Sequence, residues 1–236
     1  MTDQRTNAFG QPIGEPVSGD FPRPAPPRTP MRGHYCSVVP LDVEAHAAEL
    51  FRAFARDADG RNWTYLPYGP FDTEAGFLEW LREIGPKDDP LFHTILDARG
   101  VPVGLASYLR IDPASAVIEV GHIHFSPLLQ RRPEATEAMF LMMRRVFDEL
   151  GYRRYEWKCD ALNAPSCRAA ERLGFTFEGV FRQATHYKGR NRDTAWFAII
   201  DKDWPRIREA FTHWLKPDNF DAEGRQITPL KARQTD

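Results

Sequence analysis

Cysteine is scarce in this 236-residue chain. Cys36, Cys159 and Cys167 are an odd number with no C-x-x-C spacing, which argues against a disulfide framework or a cysteine-based structural zinc site and fits a reducing, cytoplasmic compartment. Long apolar runs are missing as well. Nothing approaches the roughly 20 residues of a membrane-spanning helix, and the first residues hold no apolar signal core. Charge of one sign is also absent: 31 Lys and Arg face 33 Asp and Glu, for a net charge of -2. That balance removes bulk electrostatics as a route to nucleic acid, though a local basic patch stays open. No internal repeat is visible. What is present, 42% hydrophobic and 27% charged residues, is the composition of one soluble domain with a real core plus tails.

Proline is concentrated at the start. Residues 1–33 hold Pro12, Pro16, Pro22, Pro24, Pro26, Pro27 and Pro30, which rules out a helix or a central strand there. The expectation is a non-catalytic N-terminal arm, either loose or lying as an extended strap, then a domain over 34–217 and a polar tail over 218–236. Tyr35 to Pro40 reads as a first strand. Asp42 caps a helix whose apolar side carries Ala47, Leu50, Phe51 and Phe54. The stretch from Trp63 to Phe71 is broken by Pro67, Gly69 and Pro70 yet crowded with aromatics, so it is either pinned to the core or lines a pocket. A second helix, capped by Asp72, presents Phe77, Leu78, Trp80 and Leu81 and stops at Gly85-Pro86.

Three strands follow at hairpin spacing, Phe92 to Asp97, Val103 to Arg110 and Val117 to Phe125, and then a helix from Glu134 to Leu150. Arg154 to Asp160 alternates Tyr155, Trp157 and Cys159 against Arg154, Glu156 and Lys158, the period of a strand with two different faces. A short helix, a hairpin (175–188 and 194–200, with a polar turn at Gly189 to Arg192) and a last helix around Trp204 to Trp214 complete the order. These elements define an α/β (α+β) fold: a mixed, mostly antiparallel central sheet with helices on both faces.

Two segments carry chemistry. Gln130-Arg131-Arg132-Pro133-Glu134-Ala135 joins a strand to a helix, where phosphate can sit on free N–H groups. Asn163-Ala164-Pro165-Ser166 opens the short helix, which leaves through Leu173-Gly174-Phe175. With Thr136-Glu137-Ala138, these segments and the element order over residues 34–216 resemble the GNAT superfamily of acyl-CoA N-acyltransferases, in particular its RimJ/RimL-like branch. The family's phosphate loop is written Q/R-x-x-G-x-G/A. Gln130 and Ala135 fit that pattern, but Pro133 stands at the first glycine. Proline offers no N–H, although it suits the first helical position.

The resemblance implies an acetyl-CoA-dependent N-acetyltransferase that acts on a primary amine, a peptide N-terminus or a small molecule, by direct attack in a ternary complex. It implies acetyl-CoA as co-substrate and leaves a homodimer open. No third ligand is spaced near the H-x-H of His122 and His124, so no metal is expected, and the charge balance and lack of a long apolar run point to no nucleic-acid or membrane partner. Its cofactor residues fall on His124, Phe125, Gln130, Arg131, Arg132, Glu134, Ala135, Thr136, Asn163 and Ser166, with the oxyanion met by backbone N–H within Val120 to His124. Ser166 stands where RimL-like enzymes place a hydroxyl that protonates the thiolate, and it equally suits a helix N-terminus. Glu119 is the candidate base, against the alternative of a salt-bridged strand residue. His122 and His124 are alternative bases, on the face opposite Glu119 unless a bulge, for which Gly121 is the natural place, shifts the count. Trp63, Tyr65, Tyr68, Glu119 and Tyr187 are the candidate acceptor contacts. Lys188, Arg190 and Arg192 either favour an anionic substrate or keep a turn soluble. Cys167 reads as core packing. The rival class is a CoA-binding or protein-interaction module without turnover, motivated by Pro133; a hydrolase or aminoacyl transferase on the same fold is a weaker third.

Overall fold

The computed structural model describes residues 5–232. Eight strands form one sheet in the order β1-β2-β3-β4-β5-β6-β8-β7. They are β1 Met31–Arg32, β2 Ser37–Pro40, β3 Leu91–Leu96, β4 Pro102–Asp112, β5 Val117–Phe125, β6 Arg154–Asp160, β7 Thr176–Tyr187 and β8 Arg190–Ile200. Every neighbouring pair is antiparallel except β5 and β6. That pair is parallel because a helix crossover, not a hairpin, joins them. The five helices are α1 Val43–Phe54, α2 Glu74–Ile84, α3 Pro133–Arg144, α4 Ala164–Arg172 and α5 Trp204–Trp214.

The sheet separates two cores. On one side Leu50 and Phe54 of α1 and Phe77 and Leu81 of α2 pack on Phe92 and Leu105. On the other, Met139 and Met142 of α3 and Ile207 and Phe211 of α5 pack on Ile118, Val120, Tyr155 and Phe197. Helix α3 is buried continuously from Thr136 to Met143, so its axis, and with it the aim of its N-terminus, is fixed by packing on all sides. It does not run to Leu150 as one α-helix: Arg145–Glu149 form a π-turn. There the buried Arg145 guanidinium donates to the carbonyls of Thr29 (2.7 Å) and Pro30 (3.4 Å).

Local chemistry explains the other departures. Asp42 caps α1 by accepting from the Ala45 amide at 3.0 Å, but α2 is capped by Thr73, which accepts from Gly76 at 3.1 Å, rather than by Asp72. The first long strand starts at Ser37 because the amides of His34, Tyr35 and Cys36 all donate to the buried Glu137 carboxylate, at 2.7, 2.7 and 2.8 Å. The β7–β8 turn is the pair Lys188-Gly189, with φ of 49° and 70°. Positive φ at both central residues matches the twist of the flanking strands, so Arg190 to Arg192 already belong to β8, not to the turn. From Arg23 onward the proline-rich segment lies on the domain. The Arg23 backbone amide donates to the Pro113 carbonyl at 2.9 Å, and the Arg28 guanidinium donates to the carbonyls of Gly85, Pro86 and Lys87.

Candidate active site

Strands β5 and β6 pair only from Val117–Arg154 to Val120–Trp157. Beyond that point β5 runs on to Phe125 and β6 to Asp160 without pairing each other, while β6 stays paired with β8 along its length. The β6-facing edge of Gly121 to Phe125 therefore borders a gap instead of a strand. The cause lies in β5 itself. Gly121 opposes Ser107 and His124 opposes Leu105, so three steps on β5 match two on β4, which is a bulge. Its left-handed residue is His122, at φ 50°, not Gly121. Gly121 serves close packing: a Cβ there would come within 2.9 Å of Leu109 Cδ2. The inserted residue turns His122 and His124 to the same face as Glu119.

Helix α3 aims its N-terminus at this gap. Gln130 Nε2 donates to the Phe125 carbonyl at 2.8 Å, tying the loop to the end of β5. Arg131 adopts φ 62° and Arg132 is the N-cap, with Pro133 at the first turn. Among the described residues, no side chain of the protein accepts from the amides of Arg131, Arg132 or Glu134, and both arginines are exposed and outside any ion pair. The Ala135 amide is committed to the Arg132 carbonyl at 3.2 Å. Three free N–H groups and two guanidinium groups at a helix N-terminus fit a pyrophosphate. Thr136, the next residue, accepts from Arg172 at 3.1 Å, which leaves its own O–H as a donor.

Glu119 sits in the floor of the cleft at 3% exposure. Its Oε2 meets Arg110 at 2.7 Å and Lys158 at 2.9 Å. Lys158 also meets Glu156 at 2.7 Å and lies 3.7 Å over the Trp196 ring. Burial pushes the Glu119 carboxyl above the ordinary carboxylate range, with Lys158 and Arg110 pulling against it. Both cations occupy one oxygen, so Oε1, on the Gly121 side, is the face from which a proton can be accepted. His122 Nδ1 lies 3.1 Å from the Tyr68 hydroxyl. Burial, with Arg110 and Arg192 nearby, lowers its pKa to about 4. The His124 ring stacks on Trp63 at 3.9 Å and meets the edge of Phe54 at 4.2 Å, and burial lowers its pKa to about 3. Its side chain belongs to the aromatic core, and only its backbone borders the gap.

The far wall is α4 with the β6 end. Asn163 Oδ1 caps the helix through the Ser166 amide at 3.2 Å. Ser166 Oγ accepts from the Trp157 indole at 3.0 Å, which leaves the serine O–H as a donor. Cys167 lies 3.6 Å from Cys159, whose thiol burial pushes up to about 12; both serve packing. Above the cleft the aromatic loop and the end hairpin meet. Tyr65 donates to the Leu162 carbonyl at 3.1 Å, Lys188 to the Trp63 carbonyl at 2.8 Å, and Arg190 to the Thr64 carbonyl at 2.7 Å. Lys188 and Arg190 thus each tie the end hairpin to the aromatic loop through one donor. Tyr187 donates to the buried Asp160 at 2.7 Å, and burial together with Asp160 pushes its pKa up to about 12.

The sequence reading missed Arg110, Trp157, Lys158 and Asp160. Lys158 was within reach: it shares a β6 face with Glu156, and Glu156 opposes Glu119 in the parallel register. Among the described residues, no group of three or more His, Cys, Asp or Glu is placed to hold a metal, and no helix is long and apolar enough to cross a membrane.

Against this geometry the comparisons are consistent. The family model of the acetyltransferase (GNAT) domain matches residues 38–176. A GCN5-related N-acetyltransferase from Brucella melitensis, known from a crystal structure, is 48% identical, with 91% of this chain and 98% of that one covered and a TM-score of 0.89. YnaD, an uncharacterized N-acetyltransferase of Bacillus subtilis (strain 168), is 28% identical over 62% of this chain and 85% of its own length. The microcin C7 self-immunity acetyltransferase MccE, whose structure contains acetyl-CoA and AMP, shares the fold alone, at 19% identity, with 71% of this chain and 93% of that one covered and a TM-score of 0.62. The chain belongs to the GNAT acetyltransferase family.

Proposed function

We propose that the protein transfers the acetyl group of acetyl-CoA to a primary amine by direct attack in a ternary complex. The observation that carries this reading is the parting of β5 and β6 after Val120 and Trp157, directly in front of the free amides of α3. Arg131, Arg132 and the amides of Arg131, Arg132 and Glu134 hold the pyrophosphate, and acetyl-CoA supplies a thioester whose acyl carbon the amine attacks. Glu119 Oε1 takes the proton that the amine must lose. The unpaired N–H edge of Gly121 to Phe125 faces the oxygen on which charge grows as the C–N bond forms. As the C–S bond breaks, Ser166 donates its proton to the sulfur, held in that orientation by Trp157. Tyr65, Tyr68, Tyr187 and Trp63 wall the acceptor side. A peptide N-terminus and a small-molecule amine both remain acceptors under this reading.

The test is thiol release from acetyl-CoA with a panel of amines, run beside calorimetric titration with acetyl-CoA. Amine-dependent release supports the reading. Pro133 favours one alternative, a CoA-binding module without turnover, because it removes an N–H from the loop. Heat without release from any amine would support that module, and no heat would refute both.

A further inference from the structure

Strand β8 alternates, and its cleft-facing side carries Arg192, Thr194 and Trp196. Trp196 opposes Lys158 and Thr194 opposes Asp160 across the β6 pairing, and the Lys158 ammonium resting on the Trp196 ring confirms which way this side points. The other cations of the cleft are accounted for. Arg110 is held by Glu119, Lys158 by Glu119 and Glu156, and Arg154 by Glu156 and Glu178. Arg192 differs. Among the described residues it enters no ion pair, and its buried Nε has no acceptor. The indole nitrogen of Trp196, on the same side of the same strand, is likewise buried without an acceptor. Lys188 and Arg190, near Arg192 in the chain, each give one donor to a backbone carbonyl of the aromatic loop. The charge of Arg192 is felt at His122, Tyr187 and Cys159, which brackets it between β5, the end of β7 and β6, at the mouth of the gap.

A buried donor without an acceptor costs free energy, and native structures leave few of them without a reason. Two on one strand face, one of them cationic, inside a cleft whose carboxylates are already engaged, form a place for an anionic acceptor group. We infer that Arg192, with the Trp196 indole beside it, binds a carboxylate of the amine substrate, so that the preferred acceptors are amines carrying a carboxylate, with amino acids as the simplest class. The inference rests on the transferase reading. The amine then faces Glu119 while the carboxylate faces Arg192, and the planar fork of arginine suits a two-oxygen group.

The experiment compares matched pairs in two ways. Thiol release is measured for the twenty amino acids and their amides with the wild type and with Arg192→Gln. Equilibrium binding is measured for the N-acetyl amino acids and the N-acetyl amino amides, which needs no turnover. The expected result is an acid-over-amide preference of about tenfold to a hundredfold, the worth of one charge-assisted hydrogen bond, and its collapse toward unity in Arg192→Gln. A purely structural arginine would lower both members of each pair and leave the ratio alone. If no amine turns over but the N-acetyl acids bind in an Arg192-dependent way, the transferase reading falls and the anion site stands. If amides or peptide N-termini turn over as well as the acids, or if neither or both product forms bind the wild type equally, the inference is overturned while transfer itself is judged by the release assay.

Discussion

Lowering the pH from 7 to 5 should remove a large share of the stability of this fold, and three histidines dominate the loss. His93 and His124 are 0% and 3% exposed, and each has a buried Nε2 without a hydrogen-bond partner. His93 Nδ1 donates to the Leu91 carbonyl at 3.1 Å, and burial, aided by repulsion from Arg145, lowers its pKa to about 4. His122 and His124 are lowered to about 4 and about 3. In the unfolded chain each titrates near 6.5. The folded state therefore holds fewer protons than the unfolded state throughout this window, and stability falls as pH falls below about 6.5. Each group costs about 2 kcal/mol by pH 5, and together they cost about 6 kcal/mol, against a typical total of about 5–15 kcal/mol. Glu119 works the other way: a raised carboxyl pKa favours the folded state as pH drops, and it offsets part of the loss. Urea unfolding at pH 7 and pH 5, on the wild type, His93→Phe and His124→Phe, measures the effect. Each variant should reduce the pH-dependent loss by about 2 kcal/mol, whatever it does to stability at pH 7. A wild-type difference under about 1 kcal/mol between the two pH values, or a loss that neither variant shrinks, would refute the reasoning.

Two further predictions concern turnover. Glu119→Gln should reduce kcat by about 10²–10⁴, the usual worth of a positioned base, and abolish the acid limb of the pH–rate profile while the calorimetric affinity for acetyl-CoA holds; a wild-type rate would remove Glu119 from the mechanism. Trp157→Phe should lower kcat by about tenfold, because Ser166 then loses the donor that orients its hydroxyl, and Ser166→Ala should match it without adding to it; a fully additive double variant would separate the two residues.

The elements were read from the chain wherever a local rule governs. Apolar periodicity located α1, α2 and α5, the alternation over Arg154 to Asp160 marked β6 as two-faced, and Asn163 was visible as a cap. Misreadings arose where a distant residue decides. The bulge was placed at Gly121 because glycine is the permissive residue, yet its position is set by the pairing of β5 with Ser107 and Leu105 of β4. The start of β2 depends on Glu137, about a hundred residues away in sequence. Arg110, on a different strand, cannot be seen as a partner of Glu119 until register is known, whereas Lys158 could have been inferred from the parallel β5–β6 pair. For Asp72 and Thr73, adjacent candidates for one cap, no sequence rule separates them.

The bulge in β5 also explains why the cleft has two chemically different sides. A regular strand would have continued its ladder to β6 past Val120 and would have sent His122 to the α3 side. One extra residue ends that ladder, so that alternate amides of Gly121 to Phe125 face open space, and it returns His122 and His124 to the side of Glu119. The amides thereby lie open along the edge that faces β6, while Glu119, Lys158, His122 and Trp196 lie on the face of the sheet that carries the aromatic loop. Under the proposed transfer, an acyl donor lying along that edge and an amine on the aromatic side would meet directly, with no protein nucleophile between them. The thiols agree with that division. Cys159 is buried, its thiol pushed up to about 12, and it faces Cys167 rather than the acceptor side, so a cysteine relay would begin from a protonated group turned away from the amine.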